Sequence, residues 1–159
     1  MSDTILLPFS SRADCQAQFA AVLARARSTL QLFDPDCAIF PLGDSSTDAA
    51  LRAVLAGGGR LQLAVHTTSY IERHYPRFLR LLRDYAHRIE CRVTSRSLHQ
   101  LTDSFCVADG IHIVRRFHSE HFRGEAAFDA PEATELPLER FAAIWEESNV
   151  ALHTSTTGL

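Results

Sequence analysis

Between Ser104 and Arg116 the chain reads SFCVADGIHIVRR, two alternating apolar runs joined by Asp109-Gly110. An Asp-Gly pair supplies the left-handed backbone that a tight hairpin needs, which makes this the strongest short-range signal in the sequence. It predicts an antiparallel strand pair late in the chain. Everything before it follows a different rule, in which helical and strand periodicities take turns.

SSRADCQAQFAAVLARARSTL sets Phe19, Val22, Leu23 and Ala26 at helical spacing behind Ser11 and Asp14, a pair of capping-box type. TLQLFD alternates as a strand and stops at Asp34-Pro35-Asp36. DSSTDAALRAVLAGGG predicts a capped helix ended by glycines, and RLQLAVH a strand with Leu61, Leu63 and Val65 on one face. TTSYIERHYPRFLRLLRDYAHR carries Phe78, Leu79, Leu82 and Tyr85 at helical spacing, with Pro76 suited to a first turn, and IECRVT is the next strand. After the hairpin, GEAAFDA is a further strand, and PLERFAAIWEES a helix with a stripe of Leu138, Phe141, Ala142 and Trp145. Strands linked through helices pair in parallel, and the hairpin adds antiparallel strands. The expected fold is therefore an α/β sandwich, a mixed central β-sheet flanked by helices on both faces.

A chain of 159 residues without repeats or a low-complexity linker is expected to form one domain spanning 1–159. No apolar run approaches the roughly 18 residues of a membrane span, and the start MSDTILLPFS lacks the charged and apolar regions of a secretory signal. No membrane association and a cytoplasmic location are the expectations. Cys15, Cys37, Cys91 and Cys106 form no C-x-x-C pair and read as buried free thiols. The net charge of −3 argues against bulk nucleic-acid binding. All 16 basic residues are arginine, so chemistry that requires a lysine is excluded.

The element order, and its second half above all, resembles a single domain of the phospholipase D-like superfamily, whose active members carry H-x-K-x-x-x-x-D. Aligning the superfamily's aspartate with Asp109, ahead of Gly110, places its histidine at Thr102 and its lysine at Ser104. The family's G-S-x-N falls on Arg116, Phe117, His118 and Ser119, Glu125 stands where a later acidic residue is often found, and FAAIWEES is similar to the closing helix. The resemblance covers about 9–148, with 149–159 as a C-terminal tail. The chain also looks like a proteobacterial domain of unknown function of this fold that is sometimes fused to acetyltransferases. In active relatives a histidine attacks phosphorus while lysines neutralise the oxygens and a second domain supplies the acid. With Thr102 and Ser104 in place of histidine and lysine, the resemblance implies a domain without catalytic residues. It also implies a homodimer, because active relatives join two such domains.

The residues themselves point to an anion. Arg115, Arg116 and Arg123 surround His118 and His121 in RRFHSEHFRGE, and planar guanidinium forks suit phosphate or carboxylate. The candidate anion-binding set is Thr102, Ser104, Asp109, Arg115, Arg116, His118, His121, Arg123 and Glu125. Protonated His118 and His121 would strengthen such binding as the pH falls towards about 6. The competing class is a phosphodiesterase or metal-assisted hydrolase using His118 and His121, with Glu120, Glu125 or Asp109 as carboxylate ligands. H-x-x-H alone is a weak signal, and neither a metal nor a cofactor is expected. His66, at a strand end before Thr67, Thr68 and Ser69, marks a possible anion crevice, although a Ser/Thr run there more often serves as a helix cap. Cys106 sits in an alternating strand and reads as a packed thiol.

Overall fold

In the computed structural model, which describes residues 4–152, strand β1 (Leu7–Phe9) precedes helix α1 (Arg12–Arg25) and strand β2 (Thr29–Asp34). Helix α2 (Ser45–Ala56), strand β3 (Arg60–Val65), helices α3 (Ser69–His74) and α4 (Pro76–Asp84) and strand β4 (Ile89–Thr94) follow. Strands β5 (Ser104–Ala108), β6 (His112–Arg116) and β7 (Gly124–Ala127) lead to helix α5 (Pro131–Glu146) and strand β8 (Ser148–Ala151). All strands join one sheet in the order β1-β7-β6-β5-β2-β3-β4-β8. β2, β3 and β4 pair in parallel, as strands reached through helices must, whereas β5 turns antiparallel against β2. β2 is thus the seam between the two halves of a mixed sheet.

Side-chain alternation divides the core. On one face Leu30, Leu32, Leu61, Leu63, Cys91 and Cys106 pack against α1, α2 and α4. On the other, Phe33, Ala64, Phe105 and Ile113 meet Phe141 and Ile144 of α5. Helices cover both faces, as expected.

The helix signals act where the sequence puts them. The Ser11 hydroxyl accepts the Asp14 N–H at 3.1 Å, and Pro76 opens α4. Of the stripe on α5, Phe141 is buried and Leu138 and Trp145 pack against the same core, which Thr134, Pro137 and Ile144 enlarge, while Ala142 is exposed. The helix begins earlier than its apolar signal, at Pro131, and its inward face runs back from Phe141 through Pro137. The folded part also continues past Ser148, because Asn149, Val150 and Ala151 extend β8 along β4. Residues 153–159 of the expected tail lie outside the described residues. Among the described residues no helix is long and apolar enough to cross a membrane.

At the hairpin, Asp109 and Gly110 both have positive φ (55° and 71°), and the Ile111 N–H closes the turn onto the Ala108 carbonyl at 3.1 Å. The Asp109 carboxylate does a second job. It accepts the backbone N–H groups of Arg27, Ser28 and Thr29 at 3.0, 2.8 and 3.1 Å, tying the turn to the α1–β2 connection. Partial burial raises the Asp109 pKa, but the Ser28, Thr29 and Arg27 N–H groups outweigh it and hold the carboxyl below its ordinary value. That stabilisation is complete above the unfolded carboxyl pKa and is lost as pH falls through the lower, folded one. Asp109→Ala is expected to lower the unfolding free energy by about 2–3 kcal/mol at pH 7. Urea melts should show the gap to wild type shrinking below about pH 4.

Candidate functional site

The C-terminal ends of β2, β3 and β4, the start of β5 and the end of β6 meet at one edge of the sheet, so Asp34, His66, Thr94, Ser104 and Arg116 share that edge. Edges of this kind are where α/β folds present ligands. Asp34 continues the alternation of Leu30 and Leu32, which turns its carboxylate into the core, and it is 0% exposed. There it accepts the Asp36 N–H at 2.9 Å, the Cys37 N–H and the Ser104 hydroxyl. The Arg116 guanidinium lies 3.6 Å from Oδ1, with its side chain 8% exposed. That distance makes an ion pair and not a hydrogen bond. Arg116 Nε is buried without a partner among the described residues. Burial raises the Asp34 pKa, opposed by Ser104, the Asp36 and Cys37 N–H groups and the Arg116 charge.

His66 sits on the opposite face, edge-on to Phe33. Its Nε2 lies 2.7 Å from the Leu101 carbonyl and its Nδ1 2.6 Å from the Thr94 hydroxyl. A carbonyl only accepts, so Nε2 donates and, in the neutral ring, Nδ1 accepts from Thr94. Burial lowers the His66 pKa, which favours the neutral ring. His66 therefore clamps the segment that leads to Thr102. The following Ser/Thr run is engaged locally, with Thr67 Oγ1 accepting the Ser69 N–H at 3.2 Å and Thr68 donating to Glu72 at 2.8 Å.

Beside these groups a shallow pocket of about 400 Å³ is lined by Thr102, Asp103, Arg115, Phe117 and Arg140. Arg140 grips Asp103 through two bonds of 2.6 and 2.9 Å. The Arg115 guanidinium lies 5.3 Å from the centre of the Phe117 ring. In the adjoining loop, His118 Nδ1 accepts the Glu120 N–H at 3.0 Å and His121 Nδ1 accepts the Arg123 N–H at 3.1 Å, with the rings 6.0 Å apart. Both neutral rings thus carry their proton on Nε2 and can donate without being protonated. Protonating Nδ1 would break a backbone bond. Desolvation, then the Arg123, His118 and Arg116 charges, lowers the His121 pKa.

The structure brings Thr102 and Arg115 together at the pocket, with His118, His121 and Arg123 on the loop at the same edge. Glu125 pairs in register with Arg115. Ser104 and Arg116 are buried against Asp34. Asp109 is not part of this group: five residues along β5 from Ser104, it lies about 17 Å away at the other end of the sheet. Among the described residues, no group of three or more His, Cys, Asp or Glu side chains could hold a metal ion. The four cysteines are free and buried, and burial pushes Cys15 up to about 11 and Cys91 up to about 12. Sequence reasoning missed Asp34, Asp103 and Arg140. The phase of Asp34 with Leu30 and Leu32 was the available signal, because a strand parity rule assigns it to the core.

Residues 11–153 match the family model described as a domain of unknown function, DUF7931, and the chain belongs to that family. No curated protein sequence matches it. Among solved structures, TrmBL2, an archaeal chromatin protein, superposes with a TM-score of 0.69 at 11% identity over 92% of this chain and 54% of its own. The chain thus spans about half of that protein. Nuc from Salmonella typhimurium, a phospholipase D family member, gives 0.64 at 13% identity over 94% and 97% of the two chains. NucT from Helicobacter pylori gives 0.59 at 10% identity over 94% and 100%. Identities this low establish shared architecture, and the fold is phospholipase D-like.

Two variants test the buried edge. Asp34→Asn leaves the Arg116 charge uncompensated in the core and is expected to cost about 3–5 kcal/mol, whereas adding Arg116→Met to Asp34→Asn, which keeps an acceptor for the Asp36 and Cys37 N–H groups, recovers most of that loss. A double-mutant cycle from urea melts measures both. His66, with its folded pKa below the unfolded value, contributes stability that is complete above about pH 6.5 and lost as pH falls through the folded pKa. Thermal melts of His66→Gln should accordingly lose less stability than wild type between neutral and acid pH.

Proposed function

We propose that this domain is a non-catalytic phospholipase D-like module that binds a phosphate-bearing or other anionic ligand at the edge carrying Thr102, Arg115 and the loop from Arg116 to Glu125. The observation that carries this reading is how the arginines are divided. Arg116 is committed to Asp34 and Arg140 to Asp103, whereas among the described residues Arg115 and Arg123 form no ion pair with a carboxylate. Those two guanidinium groups, with the Nε2–H donors of His118 and His121, can meet an anion without first losing a partner. The absence of catalysis is supported by the residues at the positions that the family resemblance assigns to the nucleophile and the lysine. The Ser104 hydroxyl is spent on Asp34, and the carboxylate next to Thr102, Asp103, is held by Arg140. Phosphate-bearing ligands also accord with the folds it shares, since TrmBL2 is described as binding DNA and Nuc as a phospholipase D family member. Assembly as a homodimer belongs to the same reading, with Phe117 and Phe122 exposed beside the site as apolar surface to be covered.

Sulfate titration followed by amide chemical shifts tests the site. Arg115→Ala and Arg123→Ala are each expected to weaken binding by about 1.5–3 kcal/mol, roughly 10- to 150-fold. Raising salt should weaken the wild type, because a surface site is screened over about 8–10 Å. Equal responses from all three proteins would identify the loop as an ordinary solvated surface. Incubation with bis(p-nitrophenyl) phosphate should release no nitrophenol above a blank. Turnover abolished by His118→Ala would establish the competing reading, a phosphodiesterase or metal-assisted hydrolase. Sedimentation at high micromolar concentration should give twice the chain mass.

A further inference from the structure

At the end of the sheet opposite the anion site, a half-open cavity of about 470 Å³ lies where β2, β3 and β4 begin. Its volume falls within the roughly 300–1,000 Å³ of small-molecule pockets. Ala86, Val150, Ala151 and Leu152 form its accessible apolar wall, over a floor of Leu61, Leu82, Ile89 and Cys91 that is itself almost fully buried. The connection from α4 to β4 contributes Ala86, His87 and Arg88, and β8 closes the far side with Ala151.

The charge at the mouth is one-sided. Arg60, His87 and Arg88 all line the cavity, and its one carboxylate, Glu90, is held by Arg92 at 2.6 Å. Among the described residues neither Arg60 nor Arg88 pairs with a carboxylate, and Arg88 Nη1 instead donates to the Gly58 carbonyl at 2.9 Å. Two unneutralised guanidinium groups thus flank an apolar cavity in a chain whose net charge is −3. A neutral apolar ligand would leave these cations unused, and an inorganic anion would leave the apolar wall wet. A ligand with an apolar body and one anionic head satisfies both.

We propose that this cavity is a second binding site, taking a small amphipathic carboxylate with its apolar body against Ala86, Val150 and Leu152 and its head at Arg60 and Arg88. The site is independent of the anion-binding edge, since it shares no residue with the Thr102 pocket.

The test compares decanoate with decan-1-ol, both below their aggregation limits, by amide shift titration of the whole chain. Decanoate should give saturable shifts centred on Ala86, Val150, Ala151 and Leu152, leaving the loop from Phe117 to Arg123 unmoved. Arg60 is exposed, so Arg60→Ala should leave the fold intact while weakening decanoate by about five- to tenfold and decan-1-ol hardly at all. Ala86 is exposed as well, and Ala86→Trp should obstruct the mouth and weaken both ligands. The proposal is overturned if decanoate gives no saturable shift, if its shifts centre elsewhere, or if Arg60→Ala weakens both ligands equally.

Discussion

A carboxylate with no access to water ends the strand at the seam of the sheet, and the arrangement around it depends on how that charge is satisfied. Asp34 receives the Asp36 and Cys37 N–H groups and the Ser104 hydroxyl and faces the Arg116 guanidinium. Through those contacts one residue joins β2 to the loop that follows it, to the start of β5 and to the end of β6. The desolvation cost of the pair is of the kind that a well-packed apolar substitution avoids. Retaining it specifies where four chain segments meet, and it removes Ser104 and Arg116 from the groups free to meet a ligand.

The opposite end of the same strands is organised by another aspartate with a different balance. Asp109 is only partly buried and has backbone donors around it, so its charge is favoured where that of Asp34 is opposed. Two aspartates at opposite ends of β5 and β2 therefore play unlike parts: one anchors a turn from the surface, and the other draws strand ends together from within. The two cavities are separated along the same axis. The shallow one lies among arginines partly neutralised by Asp103, and the deeper one has apolar walls and a cationic mouth.

Local signals in the chain were strong where they depended only on near neighbours. The Asp109-Gly110 turn, the Ser11 cap, Pro76 at a helix start and the alternation of Leu61, Leu63 and Val65 all act over a few residues. The short edge strands β1 and β8 were not legible, because LPF and SNVA carry no apolar alternation of their own and gain their hydrogen bonds from distant strands. On α5 only Ala142 of the expected stripe was misplaced, and Pro137, a turn before Phe141, adds to the inward face as a buried apolar residue because the helix starts earlier, at Pro131.

The sequence by itself determined the α/β class, the alternation that puts helices on both faces, the hairpin and the exclusion of lysine chemistry, all of which follow from residue type and period. Tertiary structure decided which members of RRFHSEHFRGE remain available. Arg115 and Arg116 are neighbours in the chain, yet strand alternation sends one to a pocket rim and the other to the buried carboxylate of Asp34 on β2, far earlier in the chain. His118 and His121 each accept a backbone N–H at Nδ1, which leaves Nε2 as the ring atom that can meet a ligand. Availability of a charge or a proton depends on what else competes for it, and those competitors come together only when the sheet is assembled.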